Sequence, residues 1–313
     1  MNTQTIINCP VIVLVGPTAI GKTALSFELI KHFDCEIISM DSMQVYRYMD
    51  IGTAKPGADE LSIVKHHLIN IVNPDEQYDA SRFVKDCLKA IKKIESRGHA
   101  VLLTGGTGLY LQALTHGLFS GPPADKKIRT ELLERLEKEG REVLYSELCR
   151  IDPETGKRVH KNDTQRLLRG LEIFYHTGVT WSEFLHKQKT KSKQVIFTKI
   201  KQVIINCSRE RLYRRIGQRS EIMLQQGLVD EVKKLHAMGY GPQLESMQSI
   251  GYRHANLFLA GKWDMETMKE NLVRDTRKYA KRQLTWFKRN KDLNWFERND
   301  TDNIIQTITN SLF

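Results

Sequence analysis

The sequence predicts an α/β protein, a parallel sheet flanked by helices, with a helical insertion domain and a helical C-terminal region. Three observations carry this expectation. Strand-like and helix-like stretches alternate through the first hundred residues, a glycine-bearing loop joins one such strand to the first helix, and residues 118–194 are charged and poor in strand formers. Alternation implies a parallel, doubly wound sheet with its ligand crevice at the carboxyl ends of the strands. The loop pattern makes that sheet P-loop NTPase-like. The expected organisation is residues 1–117 as the first part of the core, 118–194 as the insertion, and 195–313 as the completion of the core with a basic helical C-terminal region.

Each element has a local reason. Val11–Val15 is a continuous β-rich run, as a strand buried on both faces requires. A helical stretch over 23–33 follows the loop, and residues 36–40 form a second strand ending at Asp41. Residues 80–96 have helical spacing, with Phe83, Val84, Cys87, Leu88, Ile91 and Ile94 on one face. Residues 100–103 form another buried strand, stopped by Gly105, Gly106, Thr107 and Gly108. Gly121, Pro122 and Pro123 mark a break, after which 128–139, 141–150 and 162–176 read as helices. The β-branched run 203–205 returns to the sheet, and Ser208 caps a long helix reaching Gln226. The remainder is expected to be helical to about Asn290 and to end in a short polar tail.

Composition narrows the class. The chain has 313 residues, 40% apolar and 27% charged, the values of an ordinary globular protein with room for one large domain and an insertion. Val11–Val15 is far too short to span a bilayer and no signal-peptide pattern precedes it, so no membrane association and a cytoplasmic location are expected. Cys9, Cys35, Cys87, Cys149 and Cys207 form no CxxC pair and no Cys/His cluster. That spacing argues against a disulfide framework or structural zinc and casts them as reduced, apolar fillers. The formal charge of +11 fits a polyanionic partner through phosphate neutralisation, and equally a lysine-rich soluble protein.

Gly16, Pro17, Thr18, Ala19, Ile20, Gly21, Lys22 and Thr23 match G-x-x-x-x-G-K-[ST] between a strand and a helix. Glycines let successive N–H groups point inward as an anion nest, and the helix N-terminus adds partial positive charge. Lys22 brings a mobile cation, and Thr23 a hydroxyl for Mg²⁺. The loop implies a bound diphosphate-like group without saying whether that group belongs to a nucleotide. Many P-loop proteins hold Mg²⁺ with an acid at the end of an apolar strand; the matching strand here ends in Thr104, Gly105, Gly106 and Thr107, without a carboxylate. Asp41, at the end of the second strand, falls on the rim of the phosphate loop, where a carboxylate can act as a general base or simply hold a turn. Position alone leaves both open.

Several blocks taken together resemble the bacterial tRNA dimethylallyltransferases. They are the Gly-Pro-Thr start of the loop; Asp41 and Ser42; Tyr46; Met49, Asp50, Ile51, Gly52, Thr53, Ala54, Lys55 and Pro56; and Gly105 through Tyr110. Asn162 through Leu167, Gln248 through Arg253, and Ala280 through Phe287 follow in the family's order over nearly the whole chain. The resemblance implies that the loop holds dimethylallyl diphosphate and that the acceptor is the N6 amine of adenosine 37, beside the anticodon. It implies roles for Asp41 as general base, for Thr23 and Lys22 at the diphosphate and its Mg²⁺, and for Arg219 as an arginine gripping that diphosphate. It also places tRNA contacts at Asp41, Ser42, Met43, Gln44, Thr107 and Arg129, and at Gln165, Arg166, Leu167, Leu168 and Arg169. Further contacts are implied at Gln248, Ser249, Ile250, Gly251, Tyr252 and Arg253, and at Lys281, Arg282, Gln283, Leu284, Thr285, Trp286, Phe287 and Lys288. The insertion becomes a helical domain for the anticodon stem. A monomer with no obligate protein partner is implied as well. Ile20 and Gly108 depart from common choices in the family, and no C-terminal zinc finger of the eukaryotic kind is encoded.

The chemistry suits these residues. Displacement at an allylic carbon builds charge on the leaving diphosphate, which preorganised donors stabilise, and a weakly nucleophilic adenine amine needs a base. The base must also leave its stack to reach the donor. Between residues 269 and 291 stand nine Lys/Arg against two acids. Arg274, Arg277, Lys278, Lys281 and Arg282 recur at helical spacing as a track for RNA backbone, with Val273, Ala280, Leu284 and Phe287 facing inward. Tyr279 and Trp286 read as packing residues. A P-loop kinase for a small molecule and an RNA-binding ATPase switch are the competing readings; the missing strand-end acid and the basic helix weigh against the kinase.

Overall fold

The structure, a computed structural model, describes residues 4–117, 125–189 and 195–313. The chain divides into two compact units, Met1–His116 with Val195–Phe313, and Gly117–Gln194. The first unit opens with β1 (Thr5–Ile7), β2 (Val11–Val15), α1 (Lys22–His32), β3 (Cys35–Met40), α2 (Ala58–Ile63), β4 (His66–His67), α3 (Ala80–Glu95), β5 (Ala100–Gly105) and α4 (Gly108–His116). The second unit holds α5 (Lys126–Glu139), α6 (Arg141–Ile151), α7 (Pro153–Arg158), α8 (Thr164–Thr177) and α9 (Trp181–Lys189). The first unit resumes with β6 (Val195–Phe197), β7 (Ile200–Asn206), α10 (Arg209–Gln225), α11 (Leu228–Ala237), a 3-10 turn at Ser246–Gln248, and α12 (Tyr252–Leu259). It closes with α13 (Met265–Phe287), β8 (Asn294–Glu297) and α14 (Thr301–Leu312).

In the first unit a six-stranded sheet runs in the order β4-β3-β5-β2-β7-β8, every pair parallel. A parallel sheet covered by helices on its faces needs strands that are apolar on both sides, and β2 and β3 are buried along their whole lengths. Register aligns the strand ends. Val15 pairs with Gly105, and Gly105 with Met40, so the loops leaving β2, β3 and β5 share one rim. The crevice opens there, as expected of this topology. A separate two-stranded pair, β1 with β6, lies within the same unit. Ser208 does cap α10, accepting from the Arg211 amide.

The expected polar tail after Asn290 is corrected by β8 and α14. Strand β8 extends the sheet beside β7. Helix α14 buries Ile304, Ile308 and Leu312, a stripe at i, i+4 and i+8, in the same cluster as Ile12, Leu14, Val203 and Ile205. Its apolar face was masked by the polar run Asp300, Thr301, Asp302 and Asn303 that begins it. The expected unbroken helical stretch is likewise divided, by the turns between α11 and α12 and between α12 and α13.

In the second unit, described by itself, Leu132, Leu144, Leu148, Leu167, Leu168 and Leu171 from α5, α6 and α8 form the core. Asp125, Asp152 and Asp163 cap α5, α7 and α8 through their side chains. The break expected at Gly121, Pro122 and Pro123 lies outside the described residues. Among the described residues no helix is long and apolar enough to cross a membrane.

Candidate active site

The site begins with the turn between β2 and α1. Gly21 caps α1 with a left-handed φ of 105°, and Ala19 also has a positive φ, 63°. Ile20 anchors the loop, its side chain fully buried in the core. Three side chains from distant elements fix the loop's course. Gln283 of α13 accepts from the Thr18 amide at 2.8 Å and donates to the Gly106 carbonyl at 2.9 Å, splinting two rim loops together. Arg215 donates to the Ala19 carbonyl at 2.7 Å, and Arg219 to the Thr18 hydroxyl at 3.2 Å. These arginines stand at i and i+4 on α10, so one helix face serves the loop.

Lys22 folds back over this loop, its Nζ donating to the Gly16 and Pro17 carbonyls at 3.0 Å each. Burial and the Arg219 cation push its ammonium down from an ordinary 10.5 to about 8, against an opposing pull from Asp41. Burial also lowers Arg219. Asp41, at the end of β3, accepts from the Met43 amide at 2.8 Å and the Gln44 amide at 3.3 Å through Oδ1. It therefore holds a turn and lines the crevice at once. Oδ2 has no hydrogen-bond partner among the described residues. Thr107 accepts from the Ser42 amide at 3.2 Å, fixing the next residue.

Two cavities of about 410 and 530 Å³ open here and share Thr18, Asp41, Thr53, Arg219, Met223 and Tyr279. The first reaches Lys22 and Thr23 and carries an apolar lining that includes Phe27, Ile37, Ile69 and Ile222. The second is walled by Ser42, Met43, Gln248, Ser249, Ile250, Arg253 and Arg282. Tyr279 borders both; burial, then the Asp41 charge, pushes its phenol up, so it stays a neutral donor. Tyr279, expected as a packing residue, thus lines the site, and Arg215 and Met223 join it without having been expected there. The spacing of Arg215 and Arg219 was the available signal for the former.

The remaining expected contacts sort by exposure. Gln248, Arg253, Lys281, Arg282, Thr285 and Lys288 are exposed, and Leu284 packs partly on the core. Phe287 and Tyr252, at 1% and 0% exposure, have their side chains in the core, which weighs against the direct side-chain contact expected of them. Gln283 lines the first cavity while its amide bonds Thr18 and Gly106. Gly251 is a buried, positive-φ N-cap of α12. Trp286 lies against Gly108, where a Cβ would come within 2.2 Å of Trp286 Cδ1, which accounts for a glycine at that position. Arg277, expected on the basic stripe, lies over the Tyr213 ring at 5.0 Å, as does Arg209. In the second unit Gln165 and Arg166 are exposed, with Arg166 paired to Asp163. Arg129 and Arg169 face the buried Glu172 at 3.8 and 3.2 Å. Leu167 and Leu168 have their side chains in that unit's core, which weighs against direct side-chain contact.

Comparison with known proteins adds an independent line. A family model described as IPP transferase matches residues 44–290. A tRNA dimethylallyltransferase of Desulfotalea psychrophila is 50% identical over 284 residues, 91% of this chain and 90% of the relative. A crystal structure of a tRNA isopentenylpyrophosphate transferase from Bacillus halodurans superposes with a TM-score of 0.70 at 36% identity, covering 97% of this chain and 96% of the other. A eukaryotic dimethylallyltransferase acting on tRNA superposes with a TM-score of 0.74 at 31% identity, covering 94% of this chain and 75% of its own.

Proposed function

The chain belongs to the IPP transferase family, which makes it a tRNA-prenylating enzyme, and we propose that it moves a dimethylallyl group from dimethylallyl diphosphate to N6 of adenosine 37. The observation that carries the finer reading is the meeting of two cavities at Asp41, Thr18 and Arg219. The first cavity joins an anion loop to an apolar lining, the chemistry of an isoprenoid diphosphate. The second, walled by polar groups and Arg253 and Arg282, suits an unstacked nucleoside with its flanking phosphates.

The carbon–oxygen bond of the donor breaks and its electron pair leaves with the diphosphate. Loop amides, Lys22 and Arg219 stabilise that charge more in the transition state than before it. The N6 lone pair forms the new carbon–nitrogen bond, and Asp41 takes the N6 proton. The backbone amides of Met43 and Gln44 hold Asp41 through Oδ1, which keeps its second oxygen directed by a fixed turn. Lys22 must exchange the Gly16 and Pro17 carbonyls for phosphate oxygens.

A Mg²⁺ ion fits this donor set. The first cavity offers hard oxygens at Thr23, Ser26, Ser39 and Asp41, and among the described residues no cluster of three or more His, Cys, Asp or Glu forms a cage. Mg²⁺ characteristically takes one or two protein oxygens and completes its shell with phosphate and water. Thr23 would hold it, and when bound it supplies further neutralisation of the diphosphate. The reading extends to a monomer working in the cytoplasm; the five free cysteines fit a reducing compartment.

The test is incubation with unmodified tRNA and radiolabelled dimethylallyl diphosphate, and separately with ATP and the same tRNA. Label at adenosine 37 is expected. Phosphoryl transfer or RNA-dependent ATP hydrolysis with no label in the RNA would overturn the assignment.

A further inference from the structure

Glu231 of α11 lines neither cavity, yet it accepts four hydrogen bonds beside the second one. Its Oε2 accepts from the amides of Asp50 at 3.0 Å and Ile51 at 2.8 Å. Its Oε1 accepts from the Gly52 amide at 3.2 Å and from the Tyr252 hydroxyl at 2.5 Å. A single side chain thus joins two walls of one mouth. One wall is the turn carrying Gly52 and Thr53; the other is the segment Gln248, Ser249, Ile250 and Arg253, into which Tyr252 is built.

The surrounding geometry makes this a spacer rather than a loose tether. The Tyr252 ring packs against Gly52, where a Cβ would stand 2.4 Å from Tyr252 Cε2. Burial, reinforced by the Glu231 charge, keeps the Tyr252 phenol protonated, so it remains a donor to that carboxylate. The far side of the same turn is held by Gln44, whose Nε2 donates to the Thr53 and Ala54 carbonyls at 3.5 and 3.3 Å, and whose Oε1 accepts from Ser39 at 3.0 Å. Lys55 closes the turn from beneath, donating to Asp50 Oδ1 at 2.6 Å and to the Tyr46 carbonyl at 2.8 Å. Three successive amides of this turn converge as an anion nest, and Glu231 fills it.

We infer that Glu231 is a positioning residue that sets the width of the acceptor mouth, acting through the 50–53 turn and Tyr252 to place the incoming adenosine against Asp41. This rests on the proposed assignment of the second cavity to the RNA acceptor. It also gives Tyr252, which the family resemblance placed among the tRNA contacts, a role it can perform while fully buried: it transmits α12 to the turn.

Glu231→Gln is the discriminating variant. An amide keeps one acceptor oxygen and must turn an NH₂ toward N–H or O–H donors that the carboxylate satisfied. The full-length E231Q enzyme is expected to lose about tenfold in kcat/KM for tRNA, while its dissociation constant for dimethylallyl diphosphate, measured without tRNA, stays within twofold of wild type. Tyr252→Phe removes one of the four bonds and should show a smaller loss, about threefold, with the same sparing of the donor. A purely structural carboxylate would lower thermal stability and impair donor and tRNA binding alike, and that result overturns the inference. An unchanged kcat/KM for tRNA in E231Q overturns it too. If E231Q does not fold, Y252F carries the same comparison. Wild-type enzyme that leaves tRNA unlabelled would instead sink the functional reading on which this rests.

Discussion

The lysine of the phosphate loop offers the sharpest quantitative test. Lys22 spans two backbone carbonyls, and burial beside Arg219 brings it from 10.5 to about 8. A bound diphosphate replaces those carbonyls with at least two negative charges and restores the ammonium to its ordinary range or above. Donor binding must then take up a proton whenever the free lysine is neutral. With a free value near 8 and a bound value at or above 10.5, linkage makes affinity fall by roughly tenfold between pH 7 and pH 9, about 1.4 kcal/mol. Uptake rises from about 0.1 to about 0.9 proton per donor over the same interval. For folding the pH dependence has the opposite sign: the unfolded chain binds the extra proton between about pH 8 and 10.5, so this lysine's contribution to stability increases with pH across that window. Isothermal titration of dimethylallyl diphosphate without tRNA, in two buffers of different ionisation enthalpy, reads both quantities. A dissociation constant flat from pH 7 to 9 with no proton uptake would refute the account and mean that Lys22 is charged in the empty loop.

Three further outcomes follow from the same geometry. Asp41→Asn keeps the Oδ1 acceptor for Met43 and Gln44 while removing the base, so it isolates chemistry from the turn; single-turnover prenylation should fall by about 10²–10⁴-fold with donor affinity preserved, and a near wild-type rate would exclude the role. Gly108→Ala drives a methyl into the Trp286 ring and should cost roughly 1–3 kcal/mol in thermal or denaturant unfolding, relieved by Trp286→Ala in the double variant; an unchanged midpoint would show that the ring yields freely. Lys281→Ala removes an exposed cation from α13 and should flatten the plot of log affinity for tRNA against log salt by about one unit, whereas an identical slope would take this residue off the RNA track.

Much of the site was legible because its chemistry is local. The strand–loop–helix unit from Val11 to His32 announces itself by pattern, and Asp41 is found by counting to the end of the next buried strand. What escaped detection depends on partners remote in sequence. Gln283 lies 265 residues from Thr18, and Glu231 about 180 from the amides that it gathers. No periodicity marks such a pairing. Exposure was the other blind spot. Leu167, Leu168, Tyr252 and Phe287 sit in blocks that resemble RNA-contacting segments, but a helix that touches RNA along one face must bury the other, and motif blocks carry both faces together. Helix α14 was overlooked for a simpler reason: its apolar stripe begins behind four polar residues, although Ile304, Ile308 and Leu312 keep helical spacing throughout.

The splint made by Gln283 joins two ligands' territories. The same helix presents Lys281, Arg282 and Lys288 outward and carries, through one amide, both Thr18 of the anion loop and the carbonyl of Gly106. With RNA on α13 and diphosphate in the loop, as proposed, a movement of the helix would be felt at the loop and a tightening of the loop along the helix. Such coupling obeys thermodynamic reciprocity: the factor by which prenyl donor alters the grip on RNA equals the factor by which RNA alters the grip on donor, whichever arrives first.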